Sequence, residues 1–594
     1  MYKFLYLKTI LTVFIFTAFS SVVSAQDKPN TPAKEAETKE QQAAPEKDTG
    51  KSKAKLVRAE KYMIVTANPH ATKAGNEILK AGGSAVDAMI AAQLVLNLTE
   101  PQSSGIGGGA FLVHWSQKDK KLQTYDGRET APASVKSSHF LDESGKPLGF
   151  AEAIGKGLGI GVPGIVRLME HTHKKHGKLE WKKLFEPAIE LSEKGFAVSP
   201  RLNKLLSKAK PERFGPKART YFYDEAGKAR PEGYILKNPE FAASLKLTAE
   251  NGAKAFYEGT IAKSLVETVK DFSKGKNGMS EKDLSSYVVK EREPVCVKYR
   301  KHKVCGMGPP SSGAHTIGMV LKLIEPYNLK AGASSHQVLH LIAEAEKLAY
   351  ADRGQYMADT DFVPLPSALL DKKYLEKRRK LINRTKTMAK ASPGQPEVKK
   401  GLYGRDATVE RPGTSHLSII DAEGNAVSMT SSIETGFGTG VMVGGFLLNN
   451  QLTDFSFKPT DAKGVVIANR IEAGKRPRSS MSPTIVFNNE GEVVLIVGSP
   501  GGSRIILYVL KTIIAMVDWG MDQQAAVELA NFGSRNGPFE MESPGNSMTR
   551  LFLQSFGHKV RLVPMTSGLH VILKSGGILY SGVDPRREGM ALGE

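Results

Sequence analysis

A hydroxyl that directly follows a glycine and faces a second hydroxyl is a setting for self-cleavage and acyl transfer, and Gly413-Thr414 offers one. The runs Thr414–Ile420 and Ala426–Ile433 alternate apolar and small polar residues and are joined by the turn-forming Asp421-Ala-Glu-Gly-Asn425, the pattern of a β-hairpin. A turn centred on residue 423 sets Thr414 directly opposite Ser432. Glycine at 413 leaves no Cβ to hinder attack on the carbonyl between the two residues, so an N→O acyl shift is geometrically open. Hydrolysis of the resulting ester would give Thr414 a free α-amine, whose pKa of about 8 suits it to deprotonate its own hydroxyl. Gly-Thr pairs and Thr/Ser cross-strand pairs are also ordinary sheet features, and spacing alone favours that plainer reading.

A second candidate is Gly498-Ser-Pro-Gly-Gly-Ser-Arg504, where a strand ends, two glycines follow and a helix begins. The unhindered N–H groups of Gly501 and Gly502 at a helix start suit an oxyanion, and a Gly-rich turn is the plainer alternative. Two other glycine motifs fall away. Gly105 to Ala110 formally fits a dinucleotide fingerprint, but a helix precedes it and the strand AFLVHW follows, which is the reverse of the required order. Gly50-Lys51-Ser52 resembles the end of a phosphate loop, yet Pro45 stands where that motif needs glycine and no strand precedes it.

The elements that must position these groups change character at Thr414. Before it, KYMIVTAN (61–68) reads as a strand. Thr72 to Leu98, Gly164 to His176, Trp181 to Gly195, Pro239 to Asn251, Ile261 to Phe272 and His336 to Arg353 read as helices. After it come TSHLSII, AVSMTSSI, GGFLLNN, PTIVFNN and EVVLIVG as strands, then the apolar helix ILYVLKTIIAMVDWG. Strands flanked by helical layers predict an α/β sandwich.

Lys3 and Lys8, the apolar run Ile10 to Val23 and the small residues Val23-Ser24-Ala25 predict a signal peptide over 1–25, and the apolar run is short for a membrane anchor. Residues 26–55 lack aromatics and predict a disordered leader. The net charge of +21 admits an anionic partner, and the densest basic run is Lys372 to Lys400. That run has no interleaved aromatics or binding motif, so it reads as a solvated helix and flexible segment, with no nucleic-acid partner. The two cysteines, Cys296 and Cys305, sit in EPVCVKYRKHKVC, which reads as a short hairpin. Two ligands are too few for structural zinc, so export and the hairpin predict a local disulfide.

TSHLSIIDAEGNAVSMTSSIETGFGTG, LLNNQLTDFS, KRPRSSMSPTIV and GSPGGSR resemble, in this order, the catalytic half of the γ-glutamyltransferases. GGSAVDAMIA, GIGGGAF, DGRETAP, GVPG, PPSSGAH and AEAEKLAYADR are similar to the other half, so the resemblance spans about residues 60 to 590. It implies the four-layer αββα fold of the N-terminal-nucleophile hydrolases and cleavage between Gly413 and Thr414. Residues 56–413 would form a large subunit and 414–594 a small catalytic one, both from one precursor.

By motif, Thr414 matches the nucleophile, Ser432 the hydroxyl bonded to it, and Gly501 with Gly502 the oxyanion hole. Arg128 matches the clamp on the substrate α-carboxylate, with Ser479 and Ser480 as helpers; Asp454 and Gln451 line the α-ammonium pocket. Without the resemblance, Arg128 reads as a surface ion pair with Glu129 or Asp126. The implied reaction is cleavage of a γ-glutamyl amide such as glutathione, through a γ-glutamyl ester passed to water or an acceptor amine, with no metal or cofactor. The expected location is periplasmic or secreted, with no stable membrane anchor.

The chain departs from the family in carrying Glu434 where Asn is common and Thr453-Asp454 where an Asp pair is usual. The segment between Asp454 and Ser479 lacks an aromatic lid residue, which would favour hydrolysis over transfer. A cephalosporin-type or glutaryl acylase and a poly-γ-glutamate depolymerase are alternatives on the same scaffold, and a non-catalytic basic surface-binding protein is an alternative of another class.

Overall fold

The hairpin and the glycine turn lie on two separate seven-stranded sheets in a computed structural model that describes residues 56–396, 403–406, 408 and 410–594. The expected signal peptide and leader fall outside the described residues. The first sheet runs in the order Met590–Gly593, Met63–Thr66, Thr414–Ile420, Ala426–Ser432, Gly109–Ser116, Lys121–Gly127, Lys290–Arg292. The second runs Arg58–Ala59, Ile578–Val583, His570–Ser575, Val493–Gly498, Thr484–Phe487, His302–Gly306, Val295–Tyr299. All neighbouring strands in both are antiparallel.

Side-chain alternation along these strands produces the layers. Ile64, Leu417, Ile419, Val427 and Met429 share a core with the helix Ala85–Thr99. Met63 and Val65 point the other way, into a core that includes Ile485, Leu495 and Val497 of the second sheet. Helices Gly313–Ile324, His336–Tyr356 and Ile505–Val517 contribute to that same core. The order is therefore helix, sheet, sheet, helix, the αββα sandwich. Ala85–Thr99 is buried along its whole length and starts at a capping box in which Ser84 and Asp87 exchange backbone hydrogen bonds.

Three sequence expectations change in detail. Trp181 to Gly195 divides into a 3-10 turn, Trp181–Phe185, and an α-helix, Glu186–Lys194, because Pro187 is accommodated in a first helical turn. GGFLLNN keeps only Phe446–Leu447 as strand, since Gly444 and Gly445 turn the chain at φ 54° and 78° and the 3-10 turn Gln451–Asp454 follows. The basic run is helical over Lys372–Arg379 and irregular to residue 396; residues 397–400 lie outside the described set.

The glycines at 107 and 108 serve close packing: a Cβ on them would fall 2.1 Å from the carbonyl oxygens of Leu447 and Ser432. Cys296 and Cys305 are directly opposite in their hairpin and are bonded to each other. A crosslink closing a loop of this length contributes about 2–3 kcal/mol. Exported protein denatured without reductant should titrate no thiol, and the Cys296→Ala/Cys305→Ala variant should melt at lower temperature; two free thiols in exported wild type would show that the bridge does not form.

Candidate active site

Thr414 begins a central strand of the first sheet and is 3% exposed. Its cross-strand partner is Ser432, the pairing that the turn centred on 423 predicts. The bond before it is held tightly. A Cβ at Gly413 would lie 1.7 Å from the Glu434 carbonyl oxygen, so no larger residue fits there without moving the backbone. Ser432 Oγ donates to the Gly413 carbonyl at 2.7 Å and accepts the Glu434 N–H at 2.8 Å. In this uncut chain the serine thus polarises the carbonyl of the Gly413-Thr414 bond. The Thr414 carbonyl accepts from Arg587 Nη1 at 3.4 Å.

Gly501 and Gly502 adopt φ 142° and 54°, backbone that side chains rarely allow. They lie against the segment before Thr414: a Cβ on Gly502 would be 2.8 Å from the Arg411 carbonyl carbon, and Ser503 N–H donates to the Glu410 carbonyl at 3.4 Å.

Arg128 is buried, not a surface residue. Its Nη2 donates to Asp454 Oδ2 at 2.6 Å and to the Arg478 carbonyl at 3.1 Å, and Nε to the Pro477 carbonyl at 3.2 Å; Glu129 is farther, at 3.8 Å. Gln451 Nε2 bridges the two neighbouring acids, donating to Asp454 Oδ2 at 2.8 Å and Glu434 Oε2 at 2.9 Å. Burial pushes the Asp454 carboxyl up to about 6 against the pull of Arg128. Burial and then the Asp454 charge push Glu434 well above the usual carboxylate range. Asp454 Oδ1 and Gln451 Oε1 are buried acceptors with no donor among the described residues. Paired acids, unmet acceptors and a guanidinium together match a small zwitterion carrying both ammonium and carboxylate.

The serines that the resemblance places beside Arg128 have other bonds here. Ser479 Oγ accepts the Met481 N–H at 3.1 Å, and its carbonyl accepts from Ser312. Ser480 Oγ accepts from Arg353 Nη2 at 2.7 Å and donates to Glu410. Glu410 also binds Arg353, and Arg478 Nε at 3.1 Å; Arg478 Nη2 reaches Asp406 at 3.0 Å. Burial alone would raise the Glu410 carboxyl, but the two guanidiniums and the Ser480 hydroxyl bring it down to about 2.

Arg353, Asp406, Glu410 and Arg478 were not singled out from the sequence. A buried charge in the AYADR segment of a helix was the available signal for Arg353; Glu410 carried none beyond proximity to Thr414. Elsewhere, His340, Glu344 and His558 bring possible metal-ligand atoms within 4.8 Å of one another. Lys347 Nζ already bonds Glu344 at 2.9 Å, and the two imidazoles bond each other at 2.8 Å, so the cluster is satisfied internally.

The sequence model of the family described as Gamma-glutamyltranspeptidase matches residues 71–594. The chain is 37% identical over 549 residues to the "Glutathione hydrolase proenzyme" of Bacillus subtilis (strain 168), covering 89% of this chain and 91% of that protein. It is 37% identical over 547 residues to the Escherichia coli (strain K12) protein of the same name, with the same shares covered. The solved cephalosporin acylase from Bacillus halodurans is similar with a TM-score of 0.79 and 26% identity, over 91% of this chain and 97% of that one.

Removing the Glu410 charge leaves the buried Arg353 guanidinium without its carboxylate partner, while Arg478 keeps Asp406, and breaking such a buried pair costs about 3–5 kcal/mol. In a Thr414→Ala background, Glu410→Gln should lower unfolding free energy by that order in urea titration. Because the folded carboxyl is depressed below its ordinary 4.5, its contribution is present above that pH and fades as pH falls toward about 2. The gap between the two proteins should narrow over that window; a gap that stays constant down to pH 2 would contradict the ionic role of Glu410.

Proposed function

The chain belongs to the gamma-glutamyltranspeptidase family and is an enzyme of the glutathione hydrolase and γ-glutamyltransferase type; from that premise we propose how its residues divide the work. The observation that carries the reading is the Ser432 hydroxyl bonded to the Gly413 carbonyl at 2.7 Å, directly across from Thr414. Thr414 Oγ attacks that carbonyl carbon, the C–N bond breaks, and the hydroxyl proton passes to the departing nitrogen. Water then hydrolyses the Gly413 ester. The products are a large chain ending at Gly413 and a small one, 414–594, whose terminal α-amine is the base for its own hydroxyl.

Withdrawal of residues 410–413 uncovers the site, frees Ser432 to orient the Thr414 hydroxyl, and exposes the Gly501 and Gly502 amides. A γ-glutamyl amide then binds with its α-carboxylate on Arg128, Ser479 and Ser480, and its α-ammonium on Asp454, Gln451 and Glu434. Thr414 attacks the γ-carbonyl, the oxyanion is held by the two glycine N–H groups, and the leaving amine takes a proton. Water or an acceptor amine resolves the γ-glutamyl ester. Glutathione is the donor this pocket suits, and export places the reaction in the periplasm or outside the cell. A glutaryl-acylase alternative removes the ammonium from the substrate and leaves the buried Glu434–Asp454 pair without a purpose, so the geometry favours a donor that carries an ammonium, as a γ-glutamyl amide does.

Purified wild type should give two chains, the smaller of about 20 kDa with Thr414 as its first residue by Edman sequencing. Thr414→Ala should remain one inactive chain, and Thr414→Ser should cleave slowly. Another terminal residue, or turnover by uncut Thr414→Ala, would defeat the mechanism.

Asp454 must be ionised to attract the ammonium, and it loses its proton as pH rises through about 6. Donor kcat/KM, measured with a γ-glutamyl anilide, should therefore climb across that pH, and Asp454→Asn should flatten this limb and raise KM at least tenfold, the order expected for a buried charge-assisted bond. A glutaryl anilide turned over better than the γ-glutamyl one would transfer the assignment to the acylase.

A further inference from the structure

The basic surface of the chain plays no part in this chemistry, and one region of it combines positive charge with exposed apolar side chains. Helix Ser547–Ser555 buries Thr549 and Leu553 but presents Met548, Leu551 and Phe552 outward, at 58%, 57% and 43% exposure. Their i, i+3, i+4 spacing makes one continuous outer face. Leu562, on the adjoining strand Val560–Val563, is also exposed.

Two other segments adjoin this face. His336 stacks on Phe552 with ring centroids 4.4 Å apart, and Thr387 N–H donates to the Phe556 carbonyl at 2.8 Å. Arg384 lies over Tyr327 at 5.7 Å and its carbonyl accepts from Gln337. Residues 326–343, 377–396 and 547–562 contain no aspartate or glutamate. Lys330, Arg384, Lys386, Arg550, Lys559 and Arg561 are exposed, and none is in an ion pair among the described residues.

We infer that this face docks the enzyme on a bilayer surface containing anionic phospholipid, with Met548, Leu551 and Phe552 entering the headgroup boundary and the exposed cations of the adjoining segments meeting the phosphates. Charge complementarity selects an anionic partner, and the protruding apolar face selects a bilayer over a polyanion such as duplex DNA, which offers such side chains nowhere to go. No helix among the described residues is long and apolar enough to cross a membrane. The inference does not depend on the proposed roles of Thr414 or Arg128.

The test is flotation of exported, N-terminally sequenced protein with vesicles of phosphatidylcholine alone or mixed with phosphatidylglycerol, at low and high salt, beside a duplex-DNA binding assay. Wild type should float with the anionic vesicles only, and less at high salt. Met548→Gln/Leu551→Gln should weaken this at least tenfold by loss of apolar insertion, and Lys386→Glu/Lys559→Glu by a similar order through charge. Turnover of a γ-glutamyl anilide, unchanged in both variants, shows that they are folded. Absence of vesicle binding overturns the inference. So does binding that survives the Met548/Leu551 change, or equal affinity for duplex DNA, either of which would mark a general polyanion surface.

Discussion

Everything at the centre of this molecule depends on the register of one hairpin. With side chains alternating faces, a slip of one residue would move Thr414 from the space between the sheets to the helical side and bring Gly413 or Ser415 into its place. Asp421 fixes the register from the turn. Its Oδ1 accepts the N–H groups of Glu423 and Asn425 at 3.0 and 2.9 Å, and Oδ2 accepts the Asn425 side chain and the Ala85 N–H, both at 3.0 Å. The last bond joins the hairpin to the first turn of the buried helix Ala85–Thr99. Turn, helix and sheet are set by one carboxylate.

That register creates a polar seam between two otherwise apolar sheets. Thr414 faces Ser432, His416 faces Thr430 and Ser418 faces Ser428. His416 bonds Thr430 at 2.9 Å and Ser418 at 3.1 Å, while Ser418 donates to the His570 carbonyl in the opposite sheet at 3.0 Å. Burial and the neighbouring His570 push His416 well below its ordinary pKa, so the seam is hydrogen-bonded without being charged. The His416 ring and the Thr430 and Ser418 hydroxyls can be buried there at modest cost because each finds a partner, whereas the His570 ring nitrogens have none among the described residues.

Charge is concentrated instead around the segment before Thr414. Arg353, Glu410, Arg478 and Asp406 bury four ionised groups whose mutual attraction must offset their loss of hydration. This arrangement holds the chain in a single path leading to Gly413, against Gly502 and the Glu434 carboxyl. The same segment occupies the Ser480 hydroxyl through Glu410 and packs its Arg411 carbonyl against Gly502.

The sequence by itself determined the hairpin, its turn and the opposition of Thr414 to Ser432, because alternation and turn chemistry act over a few residues. It also determined the strand-to-helix glycines and the cysteine hairpin, for the same local reason. Motif likeness brought Arg128, Asp454 and Gln451 into one pocket, although Arg128 read alone looked like a surface ion pair. Tertiary structure decided that Arg128 is buried against Asp454, 326 residues away, that Ser432 meets the Gly413 carbonyl in the uncut chain, and that Ser480 bonds Glu410. It likewise decided that Gly107 and Gly108 are glycines for the sake of the Leu447 and Ser432 carbonyls pressed against them. Such choices among competing partners depend on distance and dielectric after the sheets have packed, and neither quantity exists along an unfolded chain.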